Sequence, residues 1–278
     1  MRAWLAMLCL CGASALASPA RAQPQASPQP AAPMADRLTL TANGSTLSAA
    51  GGGRGASVGW LRYLRSDATI GLGVESQHIA DARWTFASVN GVLTRTTAAG
   101  RTINIHAEIH RGSGVDTGRS FSHSVTAAGV TGAVTDRLSL RFETREIDID
   151  RTEGNLPRVG LSFSWNARFS TDVAYARSVS GNLGTELVTT RTDYFGDRFR
   201  LLFGAAFGEA APSVVNLQPG LAVPDGSSLR QFFAGVSKPL ERGELLAVAD
   251  HLQLAGSERT TVTISYAIPL RREARSNR

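Results

Sequence analysis

Between Thr102 and His110 the chain reads T-I-N-I-H-A-E-I-H, so Ile103, Ile105, Ala107 and Ile109 alternate with Asn104, His106, Glu108 and His110. Successive side chains of an extended strand point to opposite faces, which gives this stretch one apolar and one hydrogen-bonding face. Wound as a helix, the same residues would form no apolar stripe. The alternation recurs at Ile70, Leu72, Val74; at Leu138, Leu140, Phe142; at Val159, Leu161, Phe163, Trp165; at Phe199, Leu201, Phe203, Ala205, Phe207; and at Val262, Ile264, Tyr266, Ile268, Leu270. Many two-faced strands with little helical period between them predict an all-β chain.

Fourteen strands are expected, at approximately 36–49, 55–65, 68–77, 83–95, 101–111, 120–134, 137–149, 157–166, 171–180, 185–195, 198–209, 229–239, 244–254 and 259–270. The connections between them carry further information. Tight turns are read at Ser66-Asp67, Thr135-Asp136, Ala167-Arg168, Gly196-Asp197 and Glu241-Arg242, and they alternate with longer segments at Gly112 to Arg119, Asp150 to Leu156 and Ala210 to Ser228. Gly51-Gly52-Gly53-Arg54-Gly55 lacks the Lys-Ser/Thr and helix of a phosphate loop and is read as a flexible outer loop. Short turns on one side and long loops on the other are the pattern of a barrel in the bacterial outer membrane. A soluble sandwich gives no reason for that parity. Closure also satisfies every backbone amide and carbonyl, which lipid demands.

The fold expected is therefore a single antiparallel up-and-down transmembrane β-barrel of about 14 strands, with 12 or 16 as the nearest alternatives. Its lipid face would carry Ile70, Leu72, Ile103, Ile105, Leu140, Phe142, Leu161, Phe163, Leu201, Phe203 and Ile264. Aromatics near strand ends, Trp60, Tyr63, Trp84, Trp165, Tyr194 and Phe199, are read as interfacial girdles. Composition alone would not reveal this, because a hydrophobic fraction of 42% is ordinary for a soluble chain.

Only the N-terminus is continuously apolar. Arg2, the apolar run Trp4 to Ala17 and Ala20-Arg21-Ala22 before Gln23 fit a secretory signal peptide over 1–22, with a second candidate cut after Ala15-Leu16-Ala17. Gln23 to Ala35, rich in Pro, Ala, Gln and Ser, is expected to be a disordered leader, the barrel to occupy 36–270, and Arg271 to Arg278 to form a charged tail. Sec-type export, signal cleavage and residence in the bacterial outer membrane follow from this reading. Cys9 and Cys11, the only cysteines, fall in the leader, so the mature chain is expected to have no disulfides, no thiol chemistry and no cysteine metal site. Loss of Arg2 and Arg21 leaves 27 basic against 23 acidic side chains, a formal charge of +4 in place of +6, too modest and dispersed for nucleic-acid binding.

Gly154-Asn155-Leu156-Pro157, Ser180-Gly181-Asn182-Leu183-Gly184-Thr185-Glu186, Thr190-Arg191-Thr192-Asp193-Tyr194 and Leu202-Phe203-Gly204-Ala205-Ala206-Phe207-Gly208 together resemble the YaiO-type outer membrane β-barrels. These are in turn similar to the barrel ends of cellulose and poly-N-acetylglucosamine export proteins. The resemblance spans roughly Ser57 to Leu270. It implies an outer membrane barrel, and through the exporters a link to polysaccharide and to periplasmic export partners. The exporters carry a long periplasmic helical repeat region before the barrel, whereas here the Pro-rich stretch precedes it. Barrels of this kind usually end on an aromatic residue read by the barrel assembly machinery, whereas this strand ends at Leu270.

The inward face is where chemistry is expected. His106, Glu108, Arg141, Glu143, Arg145, Arg191, Asp193, Arg198 and Arg200 are the lumen-lining candidates. Two readings share them: a conduit in which arginine forks meet anionic or hydroxyl-rich solutes, and a self-neutralising network that plugs the barrel. His106, Glu108 and His110 project together, but neighbours about 7 Å apart on a strand chelate one ion poorly, so no metal is expected. Phe121-Ser122-His123-Ser124 raises a serine hydrolase as the alternative to a channel, without a recognisable nucleophile motif. A structural or adhesive barrel using the Ala210 to Ser228 loop is the third reading. The expected function is an outer membrane channel or export-associated pore, with no enzyme activity and no cofactor. Its expected partners are outer membrane lipid and the assembly machinery, with polysaccharide and export proteins as the further ones the resemblance implies.

Overall fold

The computed structural model of the protein describes residues 35–48, 51–79, 82–116, 118–149, 152–210, 227–254 and 257–270. The stretches expected to be a signal peptide (1–22), nearly all of the leader (23–34) and the charged tail (271–278), with residues 211–226 of the expected long loop, lie outside the described residues.

Fourteen long strands follow in chain order: β1 (Asp36–Leu47), β2 (Gly51–Arg65), β3 (Ala68–Ile79), β4 (Ala82–Thr96), β5 (Thr102–Asp116), β6 (Arg119–Ala133), β7 (Leu138–Ile149), β8 (Thr152–Ser164), β9 (Phe169–Arg177), β11 (Glu186–Phe195), β12 (Arg200–Ala210), β13 (Ser227–Leu240), β14 (Gly243–Leu254) and β15 (Ser257–Leu270). A two-residue strand, β10 (Ser180–Gly181), pairs on β8 beside the ring. Each long strand pairs antiparallel with its neighbours in sequence order. The first strand, β1, pairs with β15 from Asp36↔Leu270 to Leu47↔Arg259, and β8 pairs with β9, so the sheet closes on itself as a 14-stranded barrel with no free edge. We call the end holding Asp36 and Leu270 the terminal rim and the opposite end the distal rim.

The alternation in the sequence becomes two faces. Val74, Ile105, Ile109, Phe142, Val159, Leu161, Phe203, Phe232 and Ile264 are all exposed on the outside, spread around the ring. An apolar surface of that extent faces lipid in a stable protein, because a monomer in water rarely exposes more than a few hundred Å² of contiguous apolar area. The strands run from 9 to 15 residues, and about 9–11 tilted residues cross the hydrocarbon, so most overshoot it. At the terminal rim the outward rings form a pair and a trio. Phe163 meets Trp165 at 4.9 Å between centroids, Phe169 meets Tyr194 at 4.9 Å, and Tyr194 meets Phe199 at 5.9 Å. Amphipathic rings settle at the headgroup level.

Two expectations are corrected here. Residues 112–116 and 152–156 are strand rather than loop, and so are the glycines from Gly51 to Gly55. The strand ends pair at Asp116↔Arg119 between β5 and β6 and at Ile149↔Thr152 between β7 and β8. Glycine is a loop signal in a sequence, but at Gly53, Gly55, Gly112 and Gly114 it lies on the inward face beside the side chain of an adjacent strand. Trp84 is the second correction. It points inward and is 3% exposed, so it belongs to the interior and not to a girdle. Tyr63 also lies on the inward face, opposite Thr69 of β3.

The interior has two zones. Toward the distal rim, Ile79, Ala82, Trp84, Phe86, Phe121, Val125, Ile147, Ile149, Leu156 and Ala176 form an apolar cluster on one side of the wall. Leu183, from the connection after β10, is fully buried in that cluster. Gly181 makes this fold-back possible. Its φ is 73°, and a Cβ there would collide with the Glu153 carbonyl. Toward the terminal rim the inward face is polar and charged.

Candidate functional site

The polar half of the lumen is assembled from pairs two residues apart on one strand, which share a face by the period of 2. On β7, Arg145 Nε donates to Glu143 Oε1 at 2.6 Å. On β11, Arg191 Nη2 donates to Asp193 Oδ1 at 3.0 Å. On β5, His110 Nε2 is bonded to Glu108. Arg200, the first residue of β12, reaches the same Asp193 oxygen through Nε at 2.9 Å and Nη2 at 2.7 Å. Asp193 is 0% exposed and clamped by two guanidinium groups, as a buried carboxylate must be.

His106 reaches across a whole strand: its Nε2 lies 3.1 Å from Glu143 Oε2 although β6 runs between their strands. In register, Gly129 of β6 stands between His106 and Glu143. With no side chain at Gly129, the imidazole lies flat across it, and a Cβ there would come 2.6 Å from His106 Cε1. The device repeats around the wall. The Gln77 carboxamide occupies the space above Gly55, the Asn90 amide that above Gly71, the Phe121 ring that above Gly114 and the Phe233 ring that above Gly204. In each case a long inward side chain is laid along the wall over a neighbouring glycine. Each ion pair above joins residues on one strand or on strands at most two apart. The network thus hugs the barrel wall.

Of the nine candidates, eight lie on the inward face: His106, Glu108, Arg141, Glu143, Arg145, Arg191, Asp193 and Arg200. Arg198 does not. It sits in the turn between β11 and β12 and is exposed, because strand alternation stops at Phe195 and resumes at Arg200. Arg141 faces inward between Thr131 and Gly160 and makes no ion pair among the described residues. Arg158, Asp172 and Thr189 extend the polar half, with Arg158 Nη2 donating to Thr189 Oγ1 at 3.1 Å and Ser162 Oγ to Asp172. Their inward parity was available in the sequence but lay hidden in a stretch rich in Ser and Gly.

The serine–histidine reading fails on geometry. His123 points inward while Ser122 and Ser124 are on the opposite face of β6, and neither ring nitrogen of His123 has a hydrogen-bond partner among the described residues. Among the described residues no three His, Cys, Asp or Glu side chains gather as a metal site.

No protein-family model matches the chain, and no curated protein does. Solved structures do. CymD, described as a monoaromatic hydrocarbon channel, is similar with a TM-score of 0.60 and 10% identity, over 86% of this chain and 89% of that one. The Pseudomonas putida toluene transporter TodX is similar with a TM-score of 0.55 and 11% identity, over 85% and 90%. The Acinetobacter baumannii outer membrane protein Omp33 gives 0.51 and 9%, over 84% and 98%. At these identities the likeness is one of fold: the chain has the fold of outer membrane β-barrels.

Proposed function

We propose that this chain is a passive channel of the bacterial outer membrane, with its terminal rim toward the periplasm. The observation that carries the reading is the wall-bound lumen. Histidine, glutamine, asparagine and phenylalanine side chains lie over inward glycines of neighbouring strands, an arrangement that keeps long side chains off the axis. A plug would instead be built from pairs reaching across.

The charge of the lumen points to the solute. Asp193 is shared by two arginines, and Arg141 has no carboxylate partner among the described residues, so the polar half favours anionic or hydroxyl-rich solutes over cations. Short saccharides belong to that class, in line with the polysaccharide link implied by the resemblance, and export with periplasmic partners is the finer form of this proposal. The channel and transporter roles in the descriptions of CymD and TodX are in keeping with a conduit on this fold.

The test is single-channel recording of the full chain in planar bilayers under a KCl gradient. Discrete conductance with an anion-selective reversal potential is expected, and Arg141→Glu should move that potential toward cation selectivity. Absence of conductance would overturn the channel reading. Conductance indifferent to Arg141→Glu would overturn the assignment of solute charge.

A further inference from the structure

On the outside of the barrel, beyond the apolar belt, one part of the distal rim gathers basic side chains without acidic partners. Arg54 of β2, His78 of β3 and Arg83 of β4 are direct cross-strand neighbours, since Arg54 pairs with His78 and His78 with Arg83. They share the outward parity of Val58, Val74 and Val89, all exposed on the lipid face. Arg54 and Arg83 are exposed and His78 is half-buried, and none of the three makes a hydrogen bond or ion pair among the described residues. At the terminal rim, by contrast, Arg65 and Arg95 share Asp67, and at the distal end of β9 Arg177 has Glu186. The basic row is also local. In register it is bounded by Gly44 of β1 and Val115 of β5, whereas the distal outward positions of β7 and β8 carry Glu146, Asp148 and Glu153.

We infer that Arg54, His78 and Arg83 hold the phosphate headgroup of a lipid in the outer leaflet of the membrane. Position selects a membrane ligand. Arg54 and His78 stand four residues beyond Val58 and Val74, about 13 Å along their strands, where a headgroup lies above its acyl chains and anionic lipid attracts basic side chains. The intervening outward residues, Ala56 and Ser76, are small and exposed, so they leave a headgroup room to approach the row. Chemistry selects phosphate. Strands lie about 4.8 Å apart, so the two arginine stems rise about 10 Å from each other with an imidazole N–H between them. A phosphate monoester presents three acceptor oxygens and up to two negative charges, enough for both guanidinium forks. A carboxylate presents two oxygens and one charge, and a single fork exhausts it. The inference rests on the channel reading only for the orientation that places the distal rim outside.

Binding is read by native mass spectrometry of the full chain in nonionic detergent with a chelator present, titrated with diphosphoryl lipid A, with the same lipid stripped of both phosphates, and with inorganic phosphate as competitor. The diphosphoryl lipid is expected to bind at least tenfold tighter than the stripped one, and excess inorganic phosphate should leave its adduct in place. Arg54→Gln with Arg83→Gln should weaken the diphosphoryl lipid tenfold or more and leave the stripped lipid unchanged, while Lys at both positions, which keeps the charge but not the forks, should restore part of the affinity. Arg177→Gln with Arg230→Gln removes the same charge from outward positions elsewhere at the distal end and should have little effect. Arg83→Gln alone serves if the double variant does not assemble a barrel. Equal binding of the two lipids, equal losses in the two double variants, no lipid adduct, or displacement by inorganic phosphate would overturn the site. In the Cys9→Ser/Cys11→Ser background, Ser120→Cys at the distal end of β6 should react with an impermeant thiol reagent on intact cells; reaction only after the outer membrane is broken would overturn the outer-leaflet assignment. Conductance without phosphate-dependent binding would sink the site alone, and such binding without conductance would sink the channel reading alone.

Discussion

Replacing Gly129 by alanine tests the wall-bound arrangement where a side chain spans a whole strand. At an unstrained position a glycine-to-alanine change stabilises a protein by about 0.4–1 kcal/mol by restricting the unfolded chain. At Gly129 the new Cβ would lie 2.6 Å from His106 Cε1, 2.8 Å from His106 Nε2 and 2.6 Å from the Phe142 carbonyl oxygen. The imidazole can swing away, but only by giving up its 3.1 Å bond to Glu143, and a hydrogen bond to a charged group is worth about 1.5–3 kcal/mol. The Phe142 carbonyl is backbone and cannot rotate aside. Setting loss against gain, Gly129→Ala should destabilise the barrel by about 1–2 kcal/mol. The assay is reversible urea unfolding in phospholipid vesicles, followed by the gel mobility that separates folded from unfolded barrels. In a His106→Ala background the ring is gone, and the same change should cost about 1 kcal/mol less. A neutral or stabilising Gly129→Ala, or an identical cost in both backgrounds, would refute the reasoning.

Two further outcomes follow from the same geometry. Ile109→Arg places a guanidinium on the outward face near the middle of β5, and the same unfolding assay should show a loss of about 2–4 kcal/mol, whereas a cost near zero would mean that this face is not in lipid. Asp193→Asn leaves Arg191 and Arg200 facing each other without their shared carboxylate. Because Asp193 is fully buried, a loss of about 3 kcal/mol is expected in urea unfolding, and Asp193→Ala should be no better tolerated.

The faces of the barrel were legible in the sequence because strand alternation has a period of 2. Once Ile105 is known to face lipid, His106 and Glu108 must face in, and the same logic placed Arg141, Glu143, Arg145, Arg191, Asp193 and Arg200. It failed at Arg198 because alternation stops where a strand ends, and a turn residue owes nothing to the strand's parity. Distal strand ends were harder to read. Gly112 and Gly114 continue the inward parity of His110, but glycine marks both loops and inward positions roofed by a neighbour's side chain, and only the register across β4, β5 and β6 separates the two. Trp84 was misplaced for a related reason. An aromatic residue near a strand end suits a girdle or an interior equally, and its parity with Phe86, Ser88 and Asn90 was the available signal. The fold-back that buries Leu183 had no periodicity to announce it, although the left-handed glycine at 181 stood within the motif that carried the resemblance.

The central claim, lipid on one side of the sheet and water on the other, is tested most directly by single-cysteine labelling along β5 in a Cys9→Ser/Cys11→Ser background, which has no other thiol. Cysteines are placed one at a time at positions 105 to 109 of the full chain in lipid vesicles and challenged with a charged, membrane-impermeant thiol reagent. Positions 106 and 108, where the native side chains are 18% and 15% exposed to the lumen, should react, and positions 105, 107 and 109 should resist. Uniform reaction along the strand, or reaction at the odd positions alone, would contradict the account.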